Sequence, residues 1–489
     1  MSRANRNPAI ACSIGKLLAW ATLLLASVVI LAHAGLILAG HWDGDEFFNF
    51  VHYRESGLSF LWFRMLTWSP RPLSELLLYL YALAVNQAHD ALITPFLALL
   101  WAILVASAIA ATWRRDGLPS YRLALALSIV AMFLLSYRIS DMFLWPMAAA
   151  AYLPALAGLM LAAFQIMDGR IGERGGRVIV AAALSLAVLS SETGVFFIAG
   201  FAPALFVLEA PRLWSGGVRR LAQSWWYLVP LVLSLAVLAC ALRFRVGDAT
   251  SGVAPTNRYF HHLILSLHAT AATLPQEVKL GEAPMTARNL VASIAADGLL
   301  LAGVFGIYRT RLQPAPAWRY LLALAIGLLS GMVLLILASY YQYGGWGFGR
   351  HRTFFHCFLI LLLVVLGRGV AAAVPLPRPA TAILGPACLA AAMALGFAPR
   401  VPLLAADYAR IPQVRAARAE TWDSGSAAGG AMRFVLPPPG PVIGRLPWQT
   451  GSFTASGPGP VPWYVPGVLS FFGKNRVSIV ASGGSGVAP

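Results

Sequence analysis

The stretch "LLAWATLLLASVVILAHAGLILAGHWDGDEFFNF" (residues 17–50) decides the fold. Its first part is apolar for about 24 residues, enough for one helical crossing of a bilayer, which needs about 20. Ala32-His33-Ala34 has the form of a signal-peptidase site, but the run exceeds the roughly 7–15 residues of a signal core. It reads as an uncleaved first span, with Arg3, Arg6 and Lys16 holding the N-terminus in the cytoplasm. Directly after it stand three carboxylates, Asp43, Asp45 and Glu46, in a chain with only 19 acidic residues among 489.

The whole chain repeats the theme of that first run. It is 59% hydrophobic and 11% charged, against about 25% charged in a soluble protein. Too little polar surface remains to solvate a water-soluble fold. The net charge of +17 does not indicate nucleic acid. The cations lie in short clusters between apolar runs (Arg114-Arg115; Arg170, Arg174, Arg177; Arg212, Arg219, Arg220; Arg309, Arg311, Arg319), as the positive-inside rule places them. A nucleic-acid binder gathers them on one surface. Cys12, Cys240, Cys357 and Cys388 show neither disulfide nor metal-ligand spacing.

Apolar periodicity gives about eleven spans: 16–39, 90–112, 122–137, 146–167, 178–191, 194–209, 224–243, 291–308, 320–340, 353–370 and 380–398. The expected fold is therefore an all-α polytopic membrane protein. Its membrane domain covers 1–398, with an external loop at 40–89, and an extracytoplasmic tail rich in Pro and Gly covers 399–489. With the N-terminus inside, every Arg cluster above falls on the inner side. Residues 73–87 are apolar but short, and read as a membrane-surface helix whose start is capped by Ser74 and Glu75. The tail offers short strands or a surface that docks on the membrane domain. The tail shows no catalytic motif, and the chain shows no fixed-period repeat.

Candidate chemistry gathers on the outer side. Trp42, Phe47 and Phe48 hold the three acids at the membrane interface. Partial burial and mutual repulsion there raise a carboxyl pKa toward what a general base or acid needs. Asp43-Gly-Asp45 also matches a DxD divalent-metal pattern, which makes a metal possible without committing the chain to one. Arg138 and Asp141 end the third span, where an ion pair competes with a functional role. Glu192, in "SSETG", sits between two short apolar segments, an expensive place for an acid. "TNRYFHHL" offers Tyr259 and His262. "YYQYGGWGFGRHRTFF" ends in Arg350-His351-Arg352, an outer Arg pair that calls for an anionic partner. Guanidinium forks match phosphate oxygens, so the preferred partner is a phosphate or diphosphate.

The run from the first span into the second resembles GT-C-type integral membrane glycosyltransferases, including the aminoarabinose-transferase and protein mannosyltransferase branches. The likeness rests on Asp45-Glu46 after an N-in first span, Gly57 in "ESGLSF", and the turn "SPRPLSELLLYLY" around Arg71-Pro72-Leu73, where those branches often read Lys-Pro-Pro-Leu. "DMFLWPMAAAAYLPAL" is similar to a Trp-Pro segment of some bacterial members, and "SSETG" takes the place of a His/Asn-Glu turn. The resemblance implies transfer of a sugar from a polyprenyl-phosphate donor to a glycan, lipid or protein acceptor. That chemistry would face the periplasm or exterior of a bacterial inner membrane. Asp45 would be the base, supported by Glu46 and Asp43. Arg350, Arg352, His351, Arg138 and Arg71 would bind the donor phosphate. An O-antigen polymerase or ligase, and a lipid-linked substrate transporter or flippase, are the alternatives. The sugar and the acceptor stay open.

Overall fold

The computed structural model describes residues 8–112, 120–136, 139–244, 258–259, 261–277, 287–310, 317–374, 378–455 and 461–482. Helices dominate: α1 Pro8–Ala34, α2 Gly44–Phe63, α3 Pro72–Ala88, α4 Ile93–Thr112, α5 Ser120–Ser136, α6 Pro146–Met167, α7 Arg174–Ser190 and α8 Glu192–Gln223 open the chain. They are followed by α9 Trp225–Phe244, α10 Leu263–Glu277, α11 Ala287–Thr310, α12 Trp318–Tyr343, α13 Gly349–Ala373 and α14 Arg378–Phe397. A helix lies over each apolar segment read from the sequence. Among the described residues, seven helical stretches are long and apolar enough to cross a membrane.

Burial sorts these helices. In α6 89% of the most apolar window is buried, and in α13 78%, so both run through the middle of the bundle. By contrast α1 exposes Leu17, Leu24 and Leu31, each about 70%, in a stripe of seven-residue spacing. A stripe of that length in water would be an aggregation surface; against acyl chains it is solvated. The protein is a membrane-embedded helical bundle.

At one end of α6, Asp168 and Arg122 form a buried ion pair, and Arg368 donates to the Met167 carbonyl at 3.2 Å. The acidic motif meets the other end of α6, about 30 Å away by helix rise.

Residues 40–89 hold α2, which breaks at Gly57 where φ is 54°, a π-helical turn at Arg64–Trp68, and α3. The helix expected at 73–87 is present as α3, with Pro72 in its first turn, but Ser74 and Glu75 do not cap it. Glu75 is buried and takes a forked pair of bonds from Arg64, Nε at 2.6 Å and a terminal nitrogen at 2.9 Å. Tyr53 donates to the same carboxylate at 2.9 Å. Arg64 also donates to Asn49 Oδ1 at 2.7 Å, and Asn49 donates to the Asp45 carbonyl at 2.7 Å. Arg64→Met should therefore cost about 3–5 kcal/mol by stranding Glu75. The thermal midpoint of detergent-solubilised protein reads this, and adding Glu75→Leu should restore most of the loss.

The described residues of the tail are folded and docked on the helices. After α14 come α15 Val401–Tyr408 and α16 Ile411–Ser426, then strands β1 Ala431–Leu436, β2 Gly451–Thr454 and β3 Arg476–Ala481, with α17 Tyr464–Phe472 preceding β3. The sheet order is β1-β3-β2, with β1 parallel and β2 antiparallel to β3. Tyr408 donates to the Ala32 carbonyl of α1 at 2.7 Å. α17 lies on α2, where Gly467 lets the backbone come against Phe48 and Arg54 reaches the Phe471 carbonyl at 3.3 Å.

Candidate functional site

The site is built where several helices begin. Asp43 is the N-cap of α2, and Asp43 and Glu46 form a capping box: the Asp43 N–H donates to Glu46 Oε2 at 3.0 Å. The other Glu46 oxygen accepts the Met147 N–H in the first turn of α6 at 3.1 Å. Asp43 Oδ1 accepts the Gly44 N–H at 2.7 Å and the Trp448 indole N–H at 2.8 Å. Two of the three expected catalytic acids thus hold helix ends together. Burial pushes the fully enclosed Glu46 carboxyl well above the usual range, with the Asp43 and Asp45 charges adding to it.

Asp45 is different. It is half-buried, and among the described residues its carboxylate takes part in no hydrogen bond or ion pair. Burial raises its pKa and the Asp43 charge raises it further, while Arg350 and then Arg64 pull it back. The Arg350 charge therefore reaches Asp45.

Arg350 lies in the first turn of α13. Its guanidinium sits over the Phe348 ring at 4.5 Å and the Trp145 ring at 5.3 Å. Among the described residues it makes no hydrogen bond, so its five N–H donors remain for a ligand. Gly349 explains the close approach of α13: a side chain there would collide with the Asp141 carboxylate, which accepts from Ser140 Oγ at 2.9 Å. The N-termini of α2, α6 and α13 meet here, and their dipoles favour an anion.

Arg71, at the start of α3, is ion-paired with Glu192 at the start of α8 and lies over the Tyr152 ring at 5.7 Å. Glu192, together with Tyr152 and Tyr343, holds the Arg71 pKa above its ordinary value against the pull of burial. Tyr152 in turn is 6.4 Å from the His351 ring, and His351 Nδ1 is 2.8 Å from Ser339 Oγ. Asp45, Arg350, His351, Arg71, Glu192 and Asp141 thus belong to one connected region.

Other expected members do not join it. Arg352 points away from Arg350, as two positions on a helix differ by about 200°. It donates to the Trp346 carbonyl at 3.0 Å and lies 3.9 Å from Glu277, which is also 3.9 Å from His356. The expected pair of outer guanidinium groups is therefore divided between two neighbourhoods. Tyr259 packs on Tyr340 at 5.2 Å and takes a bond from Arg258 at 2.6 Å. His262 is exposed and accepts the Leu265 N–H at 3.3 Å, serving the start of α10. Arg138 lies outside the described residues. Among the described residues, no group of three His, Cys, Asp or Glu side chains could hold a metal, and one oxygen of the DxD pattern, Asp43 Oδ1, already accepts two donors.

Trp145, Tyr152, Trp448 and Glu277 were not singled out as site residues from the sequence. Trp145-Pro146 carried the one available signal, a proline placed to start a helix. No protein-family profile matches this chain, and no curated protein and no solved structure matches it either.

Proposed function

We propose that the protein is a membrane glycosyltransferase that moves a sugar from a polyprenyl-phosphate donor to an envelope acceptor on the extracytoplasmic side. The observation that carries this reading is the opposed pair at the helix junction: a half-buried Asp45 carboxylate in the field of an Arg350 guanidinium that rests over two rings, neither group with a hydrogen-bonding partner among the described residues. An acid that can accept a proton and a cation that can receive a phosphate are the two groups that such a transfer requires. Their meeting at the end of α6 opposite the buried Arg122–Asp168 pair supports one-sided chemistry at a membrane surface. A transporter would instead place charges at mid-membrane.

In the proposed reaction the acceptor hydroxyl oxygen attacks the anomeric carbon. The bond from that carbon to the phosphate oxygen breaks, and polyprenyl phosphate departs with the electron pair. The hydroxyl proton passes to Asp45 and is later released to water. Arg350 holds the phosphate as its negative charge grows, and the Arg71–Glu192 pair with Tyr152 shapes the wall beside it. In this reading the N-terminus is cytoplasmic, the chain crosses eleven times, and α2, α3 and the C-terminal unit lie outside.

Deleting the protein in its host and profiling the envelope glycans by mass spectrometry tests the proposal. Loss of one sugar substituent, restored by the intact chain and not by an Asp45→Asn variant, is the expected outcome. An unchanged glycan profile, or full restoration by that variant, would overturn it.

A further inference from the structure

We propose that the segment Gly440–Trp448 of the C-terminal unit is a strap that fixes the Asp45 half of the site against the Arg350 half, with Trp448 as its positioning residue. This inference rests on the functional reading above for its consequence in catalysis, and on geometry alone for its mechanical part.

The strap is held at its base. Asp407, fully buried at the end of α15, accepts the Val442 N–H at 2.7 Å and the Ile443 N–H at 2.8 Å. Gly440 and Gly444 close the loop by exchanging backbone bonds of 2.8 and 3.0 Å. Gly444 has a φ of 74° and lies on Ser140, whose Oγ would be 2.8 Å from a Cβ at this position. Only glycine suits both the backbone and the approach. Ser140 donates to Asp141, Asp141 packs on Gly349, and Arg350 is the next residue. One end of the strap therefore bears on the guanidinium half of the site.

Its other end bears on the acid half. The Trp448 indole donates to Asp43 Oδ1, and Asp43 caps the helix on which Asp45 is the second residue. Three aromatic contacts and one hydrogen bond keep that indole in place. Its ring stacks on Tyr464 at 4.3 Å with 6° between planes, and Phe434 lies 4.6 Å away. Phe47 closes the third side at 6.4 Å, and Tyr464 accepts the Gln449 N–H at 2.7 Å. Trp463 and Tyr464 also press on Gly44, directly before Asp45. Trp448 acts on Asp45 through Asp43. The C-terminal unit thus sets the separation of base and cation without contributing either.

The test uses the full chain in lipid nanodiscs and three variants: Trp448→Phe, which keeps the ring and removes the donor; Asp43→Ser, which keeps a capping oxygen beyond reach of the indole; and the double variant. Amide hydrogen exchange is read by mass spectrometry, with no substrate present. Trp448→Phe should speed exchange at residues 44–49 about tenfold, the scale of one hydrogen bond to a charged group, while residues 355–365 of α13 stay unchanged. The double variant should match Asp43→Ser, because both changes break the same link. Glycan restoration in the deletion strain should fall about tenfold in rate for Trp448→Phe. Wild-type exchange at 44–49 in Trp448→Phe, additive effects in the double variant, or an equal rise throughout the C-terminal unit would each overturn the strap. An unchanged glycan profile on deletion, with the exchange result as expected, would defeat glycosyl transfer and leave the strap standing.

Discussion

Under the proposed glycosyl transfer, Asp45→Asn should nearly silence sugar transfer while the protein inserts and folds as before. The expected fall in turnover is about 10²–10⁴-fold, the range for loss of a positioned general base. It is measured in proteoliposomes supplied with a radiolabelled lipid-linked sugar. The change is close to isosteric and removes no hydrogen bond seen among the described residues, because the Asp45 carboxylate makes none there. Stability should move the other way. The Asp45 pKa in the folded protein is raised, so its contribution to stability is complete below the unfolded-state pKa and is lost as pH rises through the folded value. At neutral pH the asparagine variant should thus match or exceed the parent in thermal midpoint, and that advantage should vanish in acid. In the proposed mechanism the same carboxyl sets the acid limb of the rate profile, since only its ionised form accepts a proton. Asp43→Asn removes a like charge that raises this pKa, so the limb should move to lower pH. An unchanged rate in Asp45→Asn, or a limb that moves upward in Asp43→Asn, would contradict the assignment.

What could be read from the chain follows from the range of each interaction. The helical segments are legible because lipid demands apolar runs of fixed length, and the runs are visible without knowing any neighbour. The position of the acids after the first span is equally local. Their division of labour was within reach: Asp43 and Glu46 stand three apart, the spacing of a capping box, and that spacing alone sets Asp45 apart from its neighbours. Starting α13 at Gly349 would likewise have separated Arg350 from Arg352 by helical geometry. Pairings across the fold were beyond reach. Glu75 looks like an acid in a first turn until Arg64 is brought beside it by a π-helical turn that no periodicity announces. Trp448 is one aromatic residue in a Pro-rich tail, and its bond to Asp43 spans 405 positions. A single sequence contains no term that distinguishes it from Trp463, which stays 61% exposed.

The sharpest consequence of the geometry concerns the two arginines that the sequence treats alike. Arg350→Ala should lower turnover about 10²–10³-fold, the cost of removing a preorganised group that meets developing charge, and should raise the KM for the lipid-linked donor. Arg350→Lys should recover little of this. The ring faces of Phe348 and Trp145 hold a flat cation at 4.5 and 5.3 Å, and a lysine lacks the planar fork that both stacks and binds phosphate oxygens in pairs. Arg352→Ala should act differently, because Arg352 is engaged with the Trp346 carbonyl and Glu277. Its removal leaves Glu277 facing His356 alone, so a lower thermal midpoint with turnover reduced less than tenfold is expected. Donor titrations of the three variants in the same proteoliposomes decide the matter. If Arg352→Ala lost donor use while Arg350→Ala kept it, the phosphate would belong on the other side of α13, beside Glu277 and His356, and Asp45 would lose its counterpart.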